Sequence, residues 1–205
     1  MVKVKICGIT NLIDAQAAIA CGCDALGFAF YKKSPRYIRP EDAQQIISKL
    51  PKNLIKIGVF VNAREETIKH TAKTCHLDIL QFHGHESPEF CAKFKGYKII
   101  KAIRVKDKLD IASVQKYDPF AFLFDTYVES KAGGTGKKFN WELIRHLSDI
   151  KRPVFLSGGL TQRNVAKAIA TTHPDWVDVS SGVESLPGKK DHQKIKRFID
   201  SAKKA

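Results

Sequence analysis

Two residues stand out as potential proton-transfer groups. Cys7 lies in Lys5-Ile6-Cys7-Gly8-Ile9-Thr10, where Val4 and Ile6 fall on one face of an alternating segment and Lys5 and Cys7 on the other. A thiol at the C-terminal tip of a strand, beside a cation, is a candidate reactive group, although most free cysteines are small buried hydrophobes. Asp125 closes the run Phe120-Ala121-Phe122-Leu123-Phe124-Asp125. The three phenylalanines share one face, so Asp125 points the other way. A carboxyl group partly removed from water there titrates higher and suits general acid work. The plainer alternative is a helix cap, but the stretch to the next helix, residues 126–140, is too long for that.

Other residues suit an anionic ligand. Gly158 and Gly159 form a turn in Leu156-Ser157-Gly158-Gly159-Leu160, and Ser180, Ser181 and Gly182 form another in Val179-Ser180-Ser181-Gly182-Val183-Glu184. Glycine lets backbone N–H groups approach a phosphate closely, and a short helix start after the second turn adds its positive end. A third turn, with Gly133, Gly134 and Gly136, is placed to close over the same anion. Arg36, in Lys32-Lys33-Ser34-Pro35-Arg36-Tyr37, offers a fork suited to a carboxylate. Gln81 and His83 share a strand face and can hydrogen-bond a substrate, although a satisfied core histidine is the commoner case. Asp178 faces opposite to Val177 and Val179. It needs a buried cation, and Lys5 is the candidate, either as a structural pair or within the binding site.

These residues are spaced by a repeating strand-then-helix pattern. Strands are expected at 2–7, 25–30, 55–61, 79–83, 98–103, 120–125, 154–157 and 177–180. Helices are expected at 12–21, 41–50, 64–75, 88–94, 109–116, 141–147, 161–170 and 191–202, with Thr10-Asn11, Pro40 and Asn62 as start signals. Strict alternation implies an α/β fold with a parallel sheet, either open and doubly wound or closed as a (β/α)8 barrel. Eight units is the barrel number, and the unusual residues all fall at strand C-terminal ends, where barrel active sites collect. The expectation is one barrel domain over 1–205, with no Pro/Gly/Ser-rich linker.

Bulk properties narrow the function classes. Hydrophobic residues make up 43% of the chain, enough for a sizeable core. No apolar run approaches the ~18 residues of a membrane span. The chain begins in a charged strand without an apolar signal region, which points to the cytoplasm. Five cysteines is an odd count; Cys21, Cys23, Cys75 and Cys91 read as structural thiols. Net charge is +14, but no nucleic-acid motif accompanies it, so the lysines read as solvated surface, with neither nucleic acid nor membrane as partner.

Taken in order, these motifs resemble one family over the whole chain. They are Lys5 to Thr10, Gly27-Phe28-Ala29-Phe30 with Ser34-Pro35-Arg36-Tyr37, Gly58-Val59-Phe60-Val61-Asn62, and Leu80-Gln81-Phe82-His83-Gly84. Asp125 with Gly133-Gly134-Thr135-Gly136-Lys137 follows, then Leu156 to Leu160 with Asn164-Val165, and Val177 to Glu184 with Pro187-Gly188-Lys189-Lys190-Asp191. The chain resembles the phosphoribosylanthranilate isomerases of tryptophan biosynthesis, departing from their usual pattern at Phe82 and Lys131-Ala132. The resemblance implies an Amadori rearrangement of N-(5-phosphoribosyl)anthranilate, an aminoaldose, to the aminoketose. It implies Cys7 as general base and Asp125 as general acid, Arg36 on the substrate carboxylate, the glycine turns on the phosphate and Asp178 on the sugar hydroxyls. It implies no cofactor and no metal. Lys5 and the helix N-termini are expected to favour the Cys7 thiolate. A second reading is another sugar-phosphate barrel enzyme, such as an epimerase, which would need a metal-ligand set or a Lys/Glu pair at the mouth. The oligomeric state, monomer or homodimer, stays open.

Overall fold

The structure is a computed structural model, and it describes residues 1–105, 110–125 and 150–205. Gly133, Gly134, Gly136 and the helix expected at 141–147 lie outside the described residues.

The strands carry two kinds of alternate residue, and the two sets build two cores. Val4, Ile6, Leu26, Phe28, Leu80, Phe82, Phe122, Phe124, Leu156, Val177 and Val179 join one cluster together with helix residues. Ala25, Ile57, Ile79, Ile100, Ala102, Ala121, Leu123, Phe155 and Trp176 form the other. Each large apolar side chain fully buried this way contributes roughly 1.5–3 kcal/mol. A strand with both faces covered belongs in a parallel sheet. Here β1 (Lys3–Cys7), β2 (Ala25–Ala29), β3 (Ile55–Phe60), β4 (Ile79–Phe82), β5 (Lys98–Arg104), β6 (Ala121–Asp125), β7 (Val154–Ser157) and β8 (Trp176–Val179) pair in sequence order and close on themselves. The closing pair is parallel, with Lys5 opposite Asp178. The open doubly wound alternative is thereby excluded, and the α/β barrel stands.

Helices cover the outside: α1 (Leu12–Ala20), α2 (Pro40–Ile47), α3 (Glu65–Thr74), α4 (Pro88–Ala92), α5 (Ile111–Gln115), α6 (Val165–Thr172) and α7 (His192–Lys203). Asn11 caps α1, accepting from the Asp14 N–H at 2.8 Å, and Pro40 opens α2. Asn62 does not cap α3. Its φ is +49°, and its Oδ1 accepts from the His85 N–H at 2.7 Å, tying the loop after β3 to the loop after β4. Past β8 the chain makes a 3-10 turn (Ser181–Val183) where a short helix start was expected, then an unexpected hairpin of β9 (Glu184–Leu186) and β10 (Lys189–Lys190).

Period two separates the barrel interior along its axis. Phe155 and Trp176 stack at 4.7 Å and plug the N-terminal end. Two residues on, the same faces turn polar: Ser157 follows Phe155, Asp178 follows Trp176, and Asp125 follows Leu123. Lys5 and Asp178 sit between plug and mouth, both buried and 2.8 Å apart. Burial alone would lower the Lys5 ammonium, but attraction to Asp178 and the Cys7 thiolate outweighs it and the net shift is upward. Lys5 therefore stays charged. Lys5→Met strands Asp178 in the interior and is expected to cost about 3–5 kcal/mol in urea unfolding. A loss below ~1 kcal/mol, the range of a surface pair, contradicts that.

Candidate active site

Cys7 stands at the tip of β1, opposite Gly27 on β2. A Cβ at Gly27 would lie 2.8 Å from the Cys7 sulfur and 3.1 Å from Lys5 Cε, so only glycine leaves the thiol its place. Burial pushes this thiol above its ordinary range and Asp178 adds to that; Lys5 and Lys190 pull it back without prevailing. The expectation of a favoured thiolate is thus reversed for the unliganded site. Lys5 shares its charge with the carboxylate it touches, and the sulfur loses more hydration than the remaining field returns.

At the same mouth a hydrogen-bonded row runs from Gln81 to Asp125. Gln81 Nε2 lies 2.9 Å from His83 Nδ1, and His83 Nε2 lies 3.0 Å from Asp125 Oδ2. Gln81 is fully buried, whereas His83 and Asp125 are about one-fifth exposed and reach the opening. With the Gln81 amide donating, Nδ1 accepts and the Nε2–H donates to Asp125. His83 thus fixes the rotamer of Asp125. The loop carrying His83 is held by a buried Lys101–Glu86 pair with no local sequence signal. Lys101 Nζ reaches Glu86 Oε2 and the Gly84 carbonyl, each at 2.8 Å.

Gly158, Gly159, Ser180, Ser181 and Gly182 gather on the side of β7 and β8. Gly158 and Gly159 have φ of +92° and +62°, so their turn folds in a left-handed path. Asn164 staples it, accepting from the Thr161 N–H at 2.7 Å and donating to the Gly159 carbonyl at 3.0 Å. A Cβ at Gly182 would lie 1.9 Å from the Leu160 carbonyl oxygen, so glycine there lets the two loops touch backbone to backbone. Among the described residues Ser180 Oγ is buried without a hydrogen-bond partner.

Asp178 sits below this opening. Its Oδ1 accepts from Lys5 and its Oδ2 from Ser157 Oγ at 3.2 Å, so both oxygens already serve the barrel interior.

Arg36 reaches the mouth from the loop after β2, but its fork meets a protein carboxylate. Nε and Nη2 donate to Glu184 at 2.8 and 2.7 Å. Glu184 also accepts from Lys190 Nζ at 2.9 Å, and Lys190 donates further to the carbonyls of Cys7 (2.6 Å) and Ser180 (3.3 Å). Burial raises the Glu184 carboxyl, yet the bonds from Arg36 and Lys190 outweigh it and the group ends below its usual range. Lys190 departs from the expectation of solvated surface lysines: it is buried. The signal was in Glu184-Ser185-Leu186-Pro187-Gly188-Lys189-Lys190, a Pro-Gly turn between short alternating arms. A Lys/Glu pair of the sort the second reading required is therefore present. Its ammonium has all three protons engaged, which makes it a structural tie and not a free base.

The comparisons with known proteins bear on the whole of this arrangement. The family model described as N-(5'phosphoribosyl)anthranilate (PRA) isomerase matches residues 4–201. The chain belongs to the phosphoribosylanthranilate isomerase family. Members of this family are aldose–ketose isomerases of tryptophan biosynthesis. The isomerase of Pelobacter propionicus is 50% identical over 203 residues, 99% of this chain and 96% of that protein. The crystal structure of the isomerase from Thermotoga maritima superposes with a TM-score of 0.93 at 48% identity, covering 100% of both chains. A family member in complex with reduced 1-(o-carboxyphenylamino)-1-deoxyribulose 5-phosphate superposes at 0.86 with 42% identity, again over both whole chains. A thiamine phosphate pyrophosphorylase from Pyrococcus furiosus, at 14% identity and a TM-score of 0.68, shares the fold alone.

Proposed function

We propose that this chain catalyses the Amadori rearrangement of N-(5-phosphoribosyl)anthranilate to 1-(2-carboxyphenylamino)-1-deoxyribulose 5-phosphate, with Asp125 as general acid and Cys7 as general base. One observation carries the assignment of roles: a thiol and a carboxyl group, each at a strand tip on the barrel's inner face, open onto one mouth beside an anion-friendly pair of loops.

Asp125 gives a proton to the ring oxygen as the C1–O bond breaks, and the anilinic nitrogen's lone pair completes a C1=N iminium. Cys7, as thiolate, takes the proton from C2, and the electron pair of that C–H bond neutralises the iminium. The resulting enol-amine becomes the ketone as a proton adds at C1 and the proton on the C2 oxygen leaves, a tautomerisation with no net change in protons. The nitrogen is the electron sink, so the reaction needs no cofactor. Phosphate is held by the turns at Gly158, Gly159 and Ser181–Gly182, beside Ser180, whose buried Oγ has no hydrogen-bond partner among the described residues. Gly133 and Gly134 join this set by resemblance. The substrate carboxylate goes to Arg36. His83 and Gln81 line the opposite side, and Asp178 reaches the sugar through the polar layer it shares with Ser157. Arg36 and Lys190, two cations that share the one carboxylate of Glu184, favour capture of a doubly anionic substrate.

The whole of 1–205 acts as one catalytic domain, and we place it in the cytoplasm, as monomer or homodimer. No helix among the described residues is long and apolar enough to cross a membrane, and one Thermotoga maritima relative is described as dimeric. The test is growth. Expressed in a tryptophan auxotroph lacking this isomerase, the chain is expected to restore growth without tryptophan. Soluble protein with no rescue contradicts the proposal.

A further inference from the structure

Arg36 and Lys190 share one carboxylate, and that imbalance has a use. Glu184 has only 5% of its side chain exposed, and Lys190 has none. Glu184 Oε1 accepts from Arg36 Nε, from Lys190 Nζ and, at 3.3 Å, from the Gly188 N–H; Oε2 accepts from Arg36 Nη2. Lys190 in turn holds the carbonyls of Cys7 and Ser180. One buried tie therefore joins the base, the loop after β8 and the arginine. The nearby Lys5–Asp178 pair is neutral by itself. Two cations share one anion, so the cluster holds more positive than negative charge, and burial holds the Lys190 ammonium below its ordinary range.

The geometry aims that charge. A guanidinium is a rigid plane, so once its Nε/Nη2 edge is fixed, the direction of Nη1 is fixed too. The Arg36 stem passes over Gly8, where a Cβ would lie 2.6 Å from Arg36 Cδ, and the side chain remains 23% exposed at the mouth. A free arginine loses rotamer freedom on being held; here Glu184 has already imposed that order before a ligand arrives.

We infer that Glu184, backed by Lys190, is a positioning residue for carboxylate recognition: it presents Arg36 in a fixed orientation, with the cluster's unbalanced positive charge left for the substrate's aromatic carboxylate. This rests on the reaction proposed above. It predicts an effect on the carboxylate, which Arg36 meets, and not on the phosphate, which the backbone of the Gly158–Gly159 and Ser181–Gly182 turns meets.

The experiment compares wild type, Glu184→Gln and Glu184→Asp. For Glu184→Gln, KM for N-(5-phosphoribosyl)anthranilate is expected to rise at least ~10-fold, the scale of one charge-assisted contact, with kcat within about threefold of wild type. Affinity for ribose 5-phosphate, which lacks the carboxylate, stays within about twofold by calorimetry. Glu184→Asp keeps the charge and recovers part of the KM loss; should Glu184→Gln fail to fold, Glu184→Asp against wild type decides by the same split. An unchanged KM overturns the inference, and so does a parallel loss of kcat and ribose 5-phosphate affinity, which would mark a merely structural role. Wild-type protein that does not turn the substrate over sinks the proposed reaction itself, and this inference with it.

Discussion

Replacing Cys7 with alanine is expected to lower kcat by at least ~100-fold, the usual scale for loss of a proton-transfer group. The fold should survive, because Cys7 is not in the apolar interior cluster and its carbonyl, which holds Lys190, is unchanged. The pH profile carries a second signature. A base must be deprotonated to act, and burial lifts the Cys7 thiol above its ordinary range. The active form of the free enzyme is thus a minority at neutral pH. Wild-type kcat/KM should climb with pH through neutrality and level off only above the usual thiol value of about 8.5. The climb should vanish from whatever residual activity Cys7→Ala retains. Full activity in Cys7→Ala, or a wild-type profile flat from pH 6 upward, contradicts the role.

Asp125→Asn is expected to cost a similar factor, at least ~100-fold in kcat. The amide oxygen still accepts from His83 Nε2–H, so the contact that orients the side chain is kept while the transferable proton is lost. That makes the variant a test of chemistry rather than geometry. KM should change little, because neither substrate anion is assigned to Asp125. Steady-state kinetics on folded protein decide it, and a kcat within about tenfold of wild type rules out the acid role.

Much of this site was legible because it obeys period two. Cys7 two residues after Lys5, His83 after Gln81 and Asp125 after Leu123 follow from strand alternation alone. The Lys5–Asp178 pair follows from closing eight strands in order. What stayed hidden depends on contacts no local pattern expresses. Lys190 is buried by three acceptors on three chain segments, two of them backbone carbonyls, and a lysine among 35 basic residues reads as surface. Arg36 was recognisable as a carboxylate fork, but its partner Glu184, 148 residues away, was not. Asn62 looked like a cap, yet its left-handed backbone turns its side chain to the neighbouring loop. The sign of the thiol's shift is not legible in sequence, because Lys5 and desolvation oppose each other and which prevails depends on depth and distance.

The most direct test of Cys7 as the base is removal of the C2 proton. With substrate deuterated at C2, wild type is expected to form the aminoketose with a primary isotope effect on the catalytic step, while Cys7→Ala removes the deuteron at least ~100-fold more slowly with the substrate still bound. Loss of the C2 deuteron at the wild-type rate in Cys7→Ala would show that another group is the base.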